Sequence, residues 1–271
     1  MEKPVLPQSI VHALKQLPKT QAGIVREFLE VHLAFGHSLR RALQTGGGAS
    51  IQRTLEHLQQ PLLEMGKDQT STQQWPAPFI HRLHKEYGLK FNDISPMMDG
   101  WNLLLLRQRY RDTRQRDTVI TQIFSHPLYL LHQLLTKTKP DTQLKQHYSK
   151  MANGFALGEM IRTFWLQVNE GRILISETEL EERQLSAQLF AEKSTSPKLI
   201  SLLQQYREQA EKLMDEGAAK LQPENPLRPF VLYLCAYEKA CLARCAKLEY
   251  SRDFPVVELP FMQRFFLRTP A

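Results

Sequence analysis

Holding a hard divalent cation takes oxygen ligands on one helix face, which means acids three or four residues apart. By that criterion the N-terminal quarter is poor, with no aspartate between Met1 and Lys67. Glu27 and Glu30 have i,i+3 spacing and read as a solvated charged face. Asp93 and Asp99 precede an apolar helix and read as cap or turn residues. Glu159 and Arg162, also i,i+3, read as a surface or inter-helix ion pair. His32 and His37 stand five apart, a poor spacing for a shared metal. His81 and His84 at i,i+3 read as solvated imidazoles. Cys235, Cys241 and Cys245 have no histidine close by in sequence, so they read as reduced core thiols rather than a zinc site. No Gly-rich phosphate loop and no Ser-His-Asp pattern is legible.

Charge points to anionic partners. The 271 residues carry a formal net charge of +7, which suits nucleic acid, a diphosphate or an acidic membrane surface. Arg107, Arg109, Arg111, Arg114 and Arg116 surround Tyr110, an interleaving that can bind single strands. Asp112 and Asp117 partly neutralise it, and nucleic acid is not the expected partner. No secretory signal is visible, and no apolar run approaches the about 20 residues that span a bilayer. The expected location is cytoplasmic, with peripheral membrane contact in scope.

The elements that must position these groups are helices. Ile24, Phe28, Val31, Phe35, Leu39 and Leu43 recur every three or four residues and draw one apolar stripe. Glycines at 46–48 are expected to stop that helix, and a second one is expected over 50–65. Further helices are expected over 78–87, 93–110, 118–136, 144–167, 177–184, 197–221 and 226–250. A loop at 68–78 and an extended link at 171–175 complete the reading. Helix follows helix with almost no β-branched alternation, so the class is all-α.

Several segments, in order, resemble the squalene/phytoene synthase family: LPKTQAGIVREFLEVHLAF (17–35), WPAPFIHRLHKEYGL (75–89), MMDGWNLLLLRQRY (97–110), NGFALGEMIRTF (153–164) with EGRILISETELEERQLS (170–186), and the PLRPFVLYLCAYEKACLARCAK tail. The block from Gly171-Arg172-Ile173 to Leu185-Ser186 is the most specific. The resemblance covers nearly the whole chain and implies a single domain over 1–271, a helical bundle of the isoprenoid synthase type around a central cavity.

The active enzymes of that family join isoprenyl diphosphates and neutralise the leaving diphosphate with magnesium, held by two D-x-x-x-D motifs. Carried over by counting, the first motif falls on Arg40, Arg41 and Gln44 and the second on Thr163 and Gln167. Cations in place of acids would repel magnesium. The chain therefore most resembles the family's catalytically degenerate branch, such as the mitochondrial complex I assembly factor of phytoene synthase type. That implies a non-catalytic assembly or interaction factor, or a binder of an isoprenoid or anionic lipid. The alternative is an active prenyltransferase with a displaced metal site. No metal or cofactor is expected, Mg2+ entering only with the enzyme alternative. The ligand-binding positions implied are Arg40, Arg41, Arg162, Arg172, Phe35, Phe155 and Phe164. Bulky residues at Phe28, Phe124, Tyr129 and Trp165 add to the expectation of a narrowed pocket with a cationic mouth.

Overall fold

Helix signals written in the sequence become helices at nearly every place expected. The computed structural model describes residues 3–64, 75–106, 109–171, 175–185 and 196–259, and among these no strand occurs. A short helix that the periodicity did not announce, α1 (Gln8–Leu14), follows Pro7 and buries His12, Ala13 and Leu14 against the last helix. The long α2 (Lys19–Leu63) continues past the glycines expected to end it. Gly47 does take a left-handed backbone (φ 62°), but the chain resumes helical geometry, so the expected stop is a kink.

Local chemistry sets the next boundaries. α3 (Ala77–Tyr87) starts after Pro76 and ends on left-handed Gly88, whose N–H bonds to His84. α4 (Phe91–Leu106) lies across α2. α5 (Thr113–Ile120) is capped by Asp112, which accepts from the Gln115 N–H. The single helix expected over 118–136 is divided: a π-turn (Thr121–Ser125) separates α5 from α6 (His126–Thr136). Pro127 cannot donate a backbone hydrogen bond at that point, and the widened turn bulges against Gly100, where a Cβ would come within 2.7 Å of Gln122.

α7 (Thr142–Arg162) is the central element, capped by Asp141 and packed on α10 (Pro197–Ala218), α11 (Arg228–Lys247) and the π-turn. Glycines let α7 and α10 approach closely. A Cβ at Gly154 would meet Met214 at 2.6 Å, and one at Gly217 would meet Met151 at 2.5 Å. α7 breaks at Thr163 and a short α8 (Phe164–Asn169) follows, where one helix had been expected through 167. α9 (Glu177–Glu182) opens with a capping box of Ser176 and Glu179. The same Glu179 accepts two hydrogen bonds from buried Arg116, at 3.0 and 2.9 Å, so α9 is tied to α5. Residues 172–174 of the expected extended link and 68–74 of the expected loop lie outside the described residues.

Candidate functional site

Three of the five motif positions, Arg40, Thr163 and Gln167, line one cavity of about 150 Å3 between α2 and the α7–α8 junction. Thr163 is buried, and its hydroxyl donates to the Glu159 carbonyl at 2.7 Å. The Gln167 amide then donates to the Thr163 hydroxyl at 2.6 Å. The break after Arg162 is what turns Thr163 inward. Arg40, half-buried, has no hydrogen-bond or ion-pair partner among the described residues. Arg41 and Gln44 are exposed and do not line the cavity, which corrects the placement expected for them. Arg41 is turned about 100° from Arg40 around α2, whereas Gln44, one turn further on the same side as Arg40, lies beyond the residues that line the cavity.

The residue one turn before Arg40 on the same face is Gly36, and its missing side chain matters. A Cβ there would lie 2.8 Å from the Trp101 indole carbons Cε2 and Cζ2. The indole of α4 thus occupies the space that a side chain paired with position 40 would need. Sequence reasoning passed over both residues. The i,i+4 spacing of Gly36 and Arg40 was the available signal, but nothing in the sequence announced which side chain would fill the gap.

A second cavity of about 280 Å3 adjoins the first. Trp101, Ile123, Phe124 and Glu159 line both and form the partition. Its wall is mainly apolar, with Leu29, Leu33, Leu131, Phe155 and Phe230. Its charged end is a closed network. Arg162 Nε donates to Glu238 at 2.8 Å, Nη2 donates to Glu159, and Nη1 reaches the Val257 carbonyl at 3.4 Å. Burial opposes the Arg162 charge, but Glu238 and Glu159 outweigh it and hold its pKa well above the ordinary arginine value. Gly158 makes room for this pair, since a Cβ there would be 2.5 Å from Glu238 Oε1. The Glu159–Arg162 pair expected from spacing is present, with the buried Glu238 as a third member that spacing could not supply.

The other expected ligand residues divide. Phe155 and Arg162 line the larger cavity. Phe35 is fully buried in the core and lines neither, and Phe164 faces a separate small crevice beside Trp165. Arg172 lies outside the described residues. Glu27 and Glu30 are not simply solvated: Glu27 pairs with Arg82 of α3, and Glu30 lies 3.6 Å from Lys3. His84 is also engaged, its Nδ1 2.8 Å from the Leu89 carbonyl. Asp93 accepts from the Lys90 N–H and pairs with Lys139 at 3.0 Å, the turn role expected of it. Cys235, Cys241 and Cys245 are buried free thiols, and burial pushes each up to about 12.

Residues 38–263 match the squalene/phytoene synthase family. The chain belongs to that family. Solved structures of like fold include a dehydrosqualene synthase in complex with ligand, at TM-score 0.79 and 16% identity over 96% of this chain and 89% of that one. YisP from Bacillus subtilis matches at TM-score 0.65 and 13% identity, over 96% of this chain and 89% of its own. The squalene synthase HpnC from Alicyclobacillus acidocaldarius matches at TM-score 0.64 and 13% identity, over 88% of this chain and 99% of that chain. No curated protein sequence matches. At these identities the likeness shows the fold, the all-α isoprenoid synthase bundle.

For a squalene/phytoene synthase family member, magnesium is the ion to test against the side chains. Among the described residues no group of three or more His, Cys, Asp or Glu side chains is placed to hold a metal ion. From α2 the smaller cavity receives an arginine, Arg40, while Gly36 packs against Trp101 of α4, and Thr163 and Gln167 supply neutral oxygens. Glu159 and Glu238 are bound to Arg162. These residues do not fit a cluster of hard cations. Among the described residues no helix is long and apolar enough to cross a membrane.

Proposed function

We propose that this chain is a non-catalytic squalene/phytoene synthase-like protein that holds an isoprenoid or other lipid in its divided cavity without magnesium. The observation that carries this reading is the Gly36–Arg40 pair on α2. The Trp101 indole fills the space beside Gly36, and the next turn offers a cation to the cavity, where a magnesium site requires acids on one helix face. The apolar walls remain, so binding is the function that survives the loss of metal ligands. Arg40 beside the smaller cavity supplies a charge for an anionic head group. Presentation of the bound lipid to a protein partner or a membrane surface is the corresponding role, and it accords with an assembly or interaction factor.

The retained apolar space would also serve an active prenyltransferase, and one assay separates the two. Purified protein with farnesyl or geranylgeranyl diphosphate is expected to release no diphosphate above background, with or without magnesium. Magnesium-dependent release would overturn the proposal. Restoring acids with Arg40→Asp and Thr163→Asp is not expected to create activity, because liganding groups need a supporting shell. Lipid extracted from the purified protein and identified by mass spectrometry supplies the positive arm.

A further inference from the structure

The smaller cavity carries a charge that the fold leaves unanswered. Arg40 lines it from α2, half-buried, with no hydrogen-bond or ion-pair partner among the described residues. The other charged groups on its wall are matched. Arg116 donates to Glu179 and lies 3.4 Å from Asp117, and Glu159 pairs with Arg162. Glu170 also has a partner of its own. Gln167 lines the same cavity and spends one amide hydrogen on the Thr163 hydroxyl, which leaves the second to give. The site therefore offers an uncompensated guanidinium and a spare N–H beside an apolar wall of Leu104, Val119, Ile120, Phe124 and Met160.

Charge selects the head group. A guanidinium is a planar fork that meets a carboxylate through two parallel hydrogen bonds, one charge against one. A diphosphate brings several charges, and Arg40 answers only one of them. The rest would lie beside Glu159 and Glu170, which line the same cavity, with no other unpaired cation on its wall among the described residues. Charge taken out of water without a counterion is costly, and neighbouring carboxylates add repulsion. A neutral head group gives Arg40 nothing to pair with. Volume selects the tail. A cavity of about 150 Å3 lined by Leu, Ile and Phe takes a guest the size of benzene, so a tail of about six to ten carbons suits this one.

We propose that the smaller cavity binds an apolar monocarboxylic acid, its carboxylate paired with Arg40 and its tail against the apolar wall. This rests on the reading above that the chain binds a lipid without magnesium, and it names the head group. The test uses the full chain, without magnesium, and three probes of one skeleton: geranic acid, geraniol and geranyl diphosphate, with affinities read by calorimetry. Geranic acid is expected to bind about ten-fold tighter than either of the others, the scale of a charge-assisted pair. Arg40→Gln is expected to bring the acid down to the alcohol's affinity, and Arg40→Lys to keep part of the preference. Three results would each overturn the proposal: acid and alcohol binding alike, geranyl diphosphate binding tighter than the acid, or a preference that survives Arg40→Gln. The wild-type comparison decides even where a variant folds poorly. Magnesium-dependent diphosphate release strikes the non-catalytic reading instead. Lipid recovered by mass spectrometry with no preference for the acid overturns the carboxylate site alone, and neither lipid nor bound probe overturns both.

Discussion

Lowering the pH is expected to cost this protein stability through His32 before its carboxylates titrate. The ring is fully buried between α2 and the π-turn, and burial, reinforced by His126, takes its pKa from 6.5 to about 4. Above pH 6.5 neither the folded nor the unfolded chain carries the proton, and the group adds no pH dependence. Below 6.5 the unfolded chain binds a proton that the folded one excludes, so stability falls with pH and levels off near pH 4. The gap corresponds to about 3 kcal/mol, of which about 2.5 is lost by about pH 4.5. His37, His126 and His132 are also lowered by burial and act in the same direction, so a control is needed. His32→Phe supplies it, because the phenyl ring fills similar space and cannot titrate. Urea unfolding of both proteins at neutral pH and at about pH 4.5 gives four free energies. The wild-type loss is expected to exceed the variant's by about 2.5 kcal/mol. Equal losses in the two proteins would refute the burial argument.

Glu238→Gln leaves the buried Arg162 charge without its buried anion and is expected to destabilise by about 3 kcal/mol in urea unfolding. Glu159→Gln, at a side chain 45% exposed, should cost under about 1 kcal/mol. Gly36→Ala pushes a methyl against Trp101 and should cost about 1–3 kcal/mol, with a shift in tryptophan emission; combining it with Trp101→Leu should recover part of the loss. Cys235, Cys241 and Cys245, their thiols held near 12 by burial, should stay unreactive to a thiol reagent at pH 8 in the native state and react only on unfolding.

The helices and the family were legible in the sequence because both are written in short-range signals. An apolar stripe of period 3.6, a proline before a helix or an Asp at a cap acts within a few residues, and Asp112, Asp141, Ser176 and Ser196 all cap where the chain turns into a helix. The order of the segments, rather than any one of them, carried the family, and the match over 38–263 shows it. Boundaries were harder. Glycine at 47 permits both a helix end and a kink, and only the packing of α2 along its neighbours selects the kink. The π-turn ahead of Pro127 likewise reflects α4 pressing on it through Gly100.

The absence of aspartates from the first 67 residues was readable directly, since absence needs no geometry. What stood in their place was not. Counting offered Arg40, Arg41 and Gln44 as equals, and the bundle turns only Arg40 inward. His32 read as a poor metal ligand, and it became a polar atom in an apolar wall only once Trp101, some seventy residues on, lay beside it. Trp101, Gly36, Gly158 and Glu238 have no local pattern linking them. Their relations are contacts between helices distant in sequence, set by which side chains fill which gaps, and such contacts exist only after the bundle has closed.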